Sequence, residues 1–282
     1  MKKIIFSEKD HRYVQGDSVY TSVTRLIKKY QKPFNKKHWS KYKAIERLMD
    51  EENFAKIKSK ARKDKIFPSS PAFIEYMMKF VDYGQFVETT ETILDEWAKK
   101  NLESTRKGNL YHKVREEKSY KDGEELNLFD NKKYPTFAKE KLVDADNYSL
   151  IEDLYELDPG YYPELLIWNE DACVAGQADK IFIGIDDNGE KWVDVDDYKT
   201  NNKIDTENKW NKLLGPLSHL DDCKFNVYSM QISMYAWMME QFGFKVRNLA
   251  FHHFNQKYEV EYLKDECATI IDAHIKANRH DF

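Results

Sequence analysis

Between residues 163 and 199 the apolar pattern turns strand-like three times in succession, and this constrains the fold more than any other stretch. Residues 163–168 form one apolar run, residues 169–172 are able to turn, residues 173–185 form a second run and residues 191–199 a third. Asp187-Asn188-Gly189 separates the last two, and Asn-Gly is a strong hairpin signal because both residues tolerate positive φ. Three sequential strands predict an antiparallel meander at the centre of the chain. Its last two arms carry acids: Asp179 on one, Asp197 on the other, with Lys199 two residues beyond.

Strand side chains alternate, so Asp197 and Lys199 share a face with Val193 and Val195, whereas Asp194 and Asp196 point to the opposite side. A carboxylate and an ammonium at the end of a buried strand face are costly unless partnered. One reading is a plain salt bridge from Asp179 or Asp197 to Lys199. The other is a divalent cation held by the two aspartates, with the lysine beside it. Oxygen ligands suit a hard ion such as Mg²⁺ or Mn²⁺, and such an ion serves phosphodiester hydrolysis by activating water and stabilising phosphate charge. Lys199 would then position water or stabilise the phosphate; acting as a base would require a perturbed pKa.

Helical patterns flank the meander, so the chain reads as α/β. Residues 2–6 and 11–20 predict a short β-meander with a turn at Gly16-Asp17, and Ser22 or Thr24 is placed to cap a helix from Val23. The opening MKKIIFSEKDHRY starts like a signal peptide, but its apolar stretch of three residues reads as a first strand. Residues 36–63 read as helical and charged. The break Phe67-Pro68-Ser69-Ser70-Pro71 suggests a boundary, dividing the chain into an N-terminal appendage over 1–70 and a core over 71–282. Helices are expected over 72–100 and 108–118, a polar loop over 119–133, and one or two helices over 134–157. After the meander come a polar connection, a helix over 224–242, strands over 246–254 and 258–263, and a final helix from Lys264.

The formal charge of −4 does not point to nucleic acid, but its distribution is uneven. From Arg25 to Lys65 there are fifteen Lys or Arg against five acids, a net +10 that leaves −14 for the remainder. With Tyr30, Phe34, Trp39, Tyr42 and Phe54 interleaved, this stretch either faces phosphates and stacks bases or is a solvated helix face whose aromatics pack inward. Cys173, Cys223 and Cys267 are scattered, with no paired spacing for zinc or an iron–sulfur cluster. No apolar run approaches the roughly 20 residues of a membrane span.

Two helical motifs flank the acids. Gly108, His112 and Glu116 recur at four-residue spacing and so share a helix face. His112 could ligate a metal, with Glu116 nearby, or be structural. Gln231 and Tyr235 share a face near Lys224 and Asn226, suited to touching a DNA backbone, orienting the lysine, or simply forming a polar patch. In order along the chain, G-x-x-x-H-x-x-x-E at 108–116, E-x-x-x-W from Glu164, G-Q-A-D at 176–179, D-Y-K-T at 197–200 and Q-x-x-x-Y at 231–235 resemble the RecB-like branch of the PD-(D/E)XK nucleases. Small phage-encoded exonucleases are the nearest in kind. The segments 20–27 and 215–223 also look like that group, and the similarity runs from about residue 12 to 262.

The resemblance implies a restriction-endonuclease-like core with a central mixed sheet flanked by helices, and an N-terminal helical appendage. It implies that His112, Asp179, Asp197 and the Tyr198 carbonyl bind Mg²⁺ or Mn²⁺, that Lys199 is catalytic, and that Glu164 is an acid beside them. Gln231 and Tyr235 would contact DNA or support the site. The cysteines of the iron–sulfur members are missing, so no cluster is expected. The expected activity is a DNA nuclease, single- or double-stranded, exonuclease in preference to endonuclease because no base-reading module is evident. RNA cleavage and a silent nucleic-acid-binding scaffold on the same fold are the alternatives. With no helicase motif, any helicase or recombination partner would be a separate protein. The expected location is the cytoplasm, that of the host cell if the protein is phage-encoded.

Overall fold

The computed structural model describes residues 4–7, 10, 12–128, 130–137 and 153–278. The chain divides into two units. One comprises residues 1–32 and 108–282, and the other residues 33–107.

The larger unit is built on a mixed sheet. It opens with the expected meander, β1 (Ile5–Ser7), β2 (Arg12–Gln15) and β3 (Ser18–Ser22), turning at Gly16 with φ of 59°. Residues 2, 3 and 11 of that expectation lie outside the described ones. Ser22 caps α1 (Val23–Lys28) by accepting from the Arg25 N–H at 3.2 Å. In the helical unit, α2 (Lys36–Leu48), α3 (Glu51–Lys63) and α4 (Pro71–Met77) begin at Asn35, Asp50 and Ser70, each accepting a backbone N–H of the first turn. Their shared interior holds Tyr42, Ile45, Phe54, Phe73, Met77, Phe86 and Ile93. Of the aromatics in the basic stretch, Tyr42 and Phe54 pack inward. Phe80 is exposed.

The boundary differs from the one expected at residue 70. The Pro-Ser segment is a turn inside the helical unit, and the division falls at residues 33 and 107. The two helices expected over 72–100 and 108–118 are also joined differently. After a 3₁₀ turn, α5 (Tyr83–Asp122) runs unbroken for 40 residues, its part from Gly108 belonging to the sheet unit. Residues 119–133 are not a loop: α5 continues to Asp122, and β4 (Glu124–Asn127) pairs with β5 (Lys132–Pro135). Of the helices expected over 134–157, residues 134 and 135 are strand, 154–156 form a 3₁₀ turn, and 138–152 lie outside the described residues.

The central meander is present as read: β6 (Gly160–Asn169), β7 (Val174–Ile185) and β8 (Lys191–Lys199), antiparallel throughout. Gly189 takes the positive φ of the turn, and Asp186 Oδ1 accepts from the N–H groups of Asn188 and Glu190 at 2.9 Å. The chain then crosses through α6 (Lys224–Gln241) to β9 (Lys245–His253), parallel to β8. Parallel neighbours require such a crossover. β10 (Gln256–Glu259) pairs with β9, and α7 (Lys264–Asn278) packs on α6. The sheet order is β1-β2-β3-β7-β8-β9-β10, with β6 on β7, so β7 contacts three strands. The core packs sheet residues such as Ile181, Val193 and Val195 with Met230, Met234 and Met238 of α6. Nine residues of α6 are buried, which accounts for its nearly uniform apolar character. No helix among the described residues is long and apolar enough to cross a membrane.

Candidate metal centre

The site originates in the register of three neighbouring strands. Between β6 and β7, Pro163 pairs with Lys180 and Leu165 with Ala178, but the intervening step, Glu164 opposite Asp179, forms no ladder pair. Glu164 sits there at φ of 52°, a left-handed conformation that is strained for a glutamate. Between β7 and β8 the ladder ends at Lys180 with Asp196, and the next step sets Asp179 opposite Asp197. One row across the sheet thus carries Glu164, Asp179 and Asp197, at the place where both ladders open. The freed Tyr198 N–H donates to Asp179 Oδ2 at 2.6 Å.

Helix α5 closes one side. A Cβ at Gly108 would stand 3.3 Å from Thr200 Oγ1, so the glycine permits a close approach to the end of β8. One turn later, His112 Nδ1 lies 3.2 Å from Asp179 Oδ1. His112, Glu164 and Asp179 each offer a ligand atom, all within 4.8 Å of one another. Two carboxylate oxygens and an imidazole nitrogen form a donor set that fits a hard or borderline divalent cation. Glu116, one more turn along, accepts from the Tyr120 hydroxyl at 3.2 Å and lines the same cleft.

Helix α6 holds the lysine. Asp197 is buried, as strand parity requires, and Lys199 Nζ lies 2.5 Å from its Oδ2. That contact lacks hydrogen-bond directionality, leaving Oδ2 buried without a directed donor among the described residues. Gln231 uses both ends of its amide. Oε1 accepts from Lys199 at 3.0 Å, and Nε2 donates to Asp197 Oδ1 at 3.3 Å and to the Tyr235 hydroxyl at 3.1 Å. Tyr235 is itself buried, against Gly176 of the G-Q-A-D motif, where a Cβ would come within 2.7 Å of its ring. Gly176 is therefore needed for packing, and the helix pair Gln231 and Tyr235 orients Lys199 and Asp197.

The electrostatics reflect carboxylates crowded away from water. Burial, then the charges of Asp179 and Glu116, push the Glu164 carboxyl up to about 8, against a smaller opposing pull from His112. Burial and Asp179 push Asp197 up to about 6 despite Lys199. Burial opposes charge on His112, but Asp179, with smaller help from Asp197 and Glu164, raises its pKa overall. Burial likewise opposes charge on Lys199 and is outweighed by Asp197 and Asp179, so the ammonium stays protonated. Without a cation, the Glu164 carboxyl holds a proton at neutral pH.

Asp197 does not join the close group of His112, Glu164 and Asp179, since its carboxylate is engaged by Lys199 and Gln231. Tyr198 enters through its N–H. Asp194 pairs with Arg247 and Asp196 with His252, on the face that parity assigned to them. Two neighbours escaped the sequence reading. The Tyr228 ring lies under Lys199 Nζ at 4.5 Å, and Arg115 stacks on Tyr198 at 5.1 Å while lining the cleft. Tyr228 was detectable in principle, being three residues before Gln231 on the same helix. Comparison with family models, curated proteins and solved structures finds no match.

Proposed function

We propose that the protein is a metal-dependent nuclease with a PD-(D/E)XK-type core, acting on DNA and as an exonuclease. The observation that carries this reading is the row Glu164, Asp179 and Asp197 across three strands, flanked by His112 on one side and by the Lys199–Gln231 pair on the other. His112, Glu164 and Asp179 would hold Mg²⁺ or Mn²⁺, with Asp197, engaged by Lys199 and Gln231, standing beside them. The cation supplies Lewis acidity for water activation and neutralises charge on the phosphate. Lys199, kept cationic by its two aspartates, donates to phosphate oxygen or to the attacking water, which favours positioning and charge stabilisation over a role as base. Gln231 and Tyr235 fix the direction of that donor. The intact set of His112, Asp179, Asp197 and Lys199 argues against a silent scaffold.

The test is incubation of linear and covalently closed DNA with Mn²⁺ or with chelator, with an RNA of the same sequence in parallel. Metal-dependent shortening of linear DNA, with the closed circle spared, is expected. Absence of metal-dependent cleavage of all three substrates would refute the enzyme reading.

A further inference from the structure

Acid and base are sorted along α3. Its acids Glu51 and Glu52 lie in the first turn, and from Lys56 onward every charged residue of the helix is basic. Complementarity with the helix dipole accounts for Lys60, Arg62 and Lys63 in the last turn, but not for Lys56 in the middle. At 100° per residue, Lys56, Lys60 and Lys63 fall on one stripe opposite the buried Phe54 and Ala61. All three are exposed. Among the described residues of α2 and α3, Lys43 pairs with Glu46 and Arg47 with Glu96, whereas the stripe lysines take part in no ion pair. Lys58, by contrast, is folded over the rings of Tyr42 and Phe54. Like charges four apart disfavour a helix by a few tenths of a kcal/mol per pair, and a polyanion laid along the stripe removes that repulsion.

We propose that the Lys56–Lys60–Lys63 stripe of the helical unit is a docking surface for the phosphodiester backbone of DNA. The choice of DNA as the polyanion rests on the nuclease reading above. The lysines span about 10 Å of helix axis, matching about three phosphates along one strand. An anionic membrane is the poorer occupant. Interfacial helices insert an apolar face, and the apolar face of α3 is committed to the interior of its own unit.

The test uses the full chain with labelled duplex DNA and chelator, so that binding is read without cleavage. Affinity is measured across a salt series for the wild type and for the K56Q/K60Q/K63Q variant, with phosphatidylserine vesicles as a second target. Glutamine keeps the helix propensity, and an unchanged thermal midpoint verifies the fold. Each lost phosphate contact should lower the slope of log affinity against log salt by about 0.9, so a fall of about 2 to 3 is expected, with at least about tenfold weaker binding at 0.1 M salt. An unchanged slope and affinity in the folded variant would overturn the proposal, as would vesicle binding without DNA binding. Normal DNA binding by a wild type that never cleaves would defeat the nuclease reading alone.

Discussion

Replacing Glu164 by glutamine should stabilise the metal-free protein at alkaline pH while weakening the proposed metal binding. The folded-state carboxyl titrates near 8 and the unfolded one near 4.5, so between those values the folded state holds a proton that the unfolded state has released. Stability from this group is therefore complete below pH 4.5 and lost as pH rises through about 8. The full difference would correspond to about 5 kcal/mol. Glu164 keeps partial contact with solvent, which screens the repulsion, and about 2 kcal/mol is the expected recovery at pH 9. His112 drifts in the same direction in both proteins, and because Glu164 is the smallest of the charges that raise it, most of that drift cancels in the comparison. The assay is chemical denaturation in chelator at pH 5, 7 and 9. The two proteins should be nearest at pH 5 and diverge above it, with Glu164→Gln gaining in relative stability. Added Mn²⁺ should then raise the wild type at pH 8 more than the variant, because the variant has lost an anionic ligand. Stability curves that run parallel from pH 5 to pH 9 would refute the view that Glu164 is a crowded, proton-holding carboxyl.

Lys199→Met leaves Asp197 buried without its cation and should cost about 3 kcal/mol in denaturation, with cleavage falling at least about 100-fold even where the protein remains folded. Gly176→Ala brings a methyl to 2.7 Å from the Tyr235 ring and should lower stability by about 1 to 3 kcal/mol, whereas Tyr235→Phe, which loses only the hydroxyl, should cost about 1 kcal/mol. A Gly176→Ala protein as stable as the wild type would show that the close approach at Gly176 is unimportant. Gln231→Glu puts a second carboxylate 3.3 Å from Asp197 and should destabilise by about 1 to 3 kcal/mol at pH 8, and less at pH 5, where a protonated Glu is again a donor. Wild-type stability at pH 8 would argue against a donating amide at that position.

The parts of the fold legible in sequence were those written in local periodicity. The ends of β8 and the Asn-Gly turn before it were readable because alternation and turn chemistry are decided within a few residues. The faces of Asp194, Asp196 and Asp197 followed from the same alternation. Helix α5 was harder, since its apolar stripe thins beyond Trp97: Leu102, Leu110 and Val114 are exposed, and nothing in that pattern bridges residues 100–108. The β4–β5 hairpin reads as loop because its charged residues leave only Asn127 buried within β4 and none within β5. Glu164 could be flagged as an acid near the site, but its left-handed backbone depends on a skipped ladder pair, a property of two strands that neither encodes alone. Gly176 had the same limitation, its reason lying almost sixty residues away at Tyr235.

The opening of the ladders and the bridging amide are two halves of one arrangement. A row of carboxylates on adjacent strands cannot be held by sheet hydrogen bonds alone, because mutual repulsion and desolvation both work against it. The chain meets this on one side with His112, whose imidazole is held toward its charged form by Asp179, and on the other with Lys199 against Asp197. Only a side chain with an acceptor at one end and a donor at the other can face both the ammonium and the carboxylate, and Gln231 presents its amide in that sense. Asp197 is thus positioned by the lysine and the amide, whereas His112, Glu164 and Asp179 remain as the close group with the larger unmet need for positive charge. The carboxyl pushed furthest from its ordinary value, Glu164, belongs to that group, and it is the part of the row that a cation would relieve most.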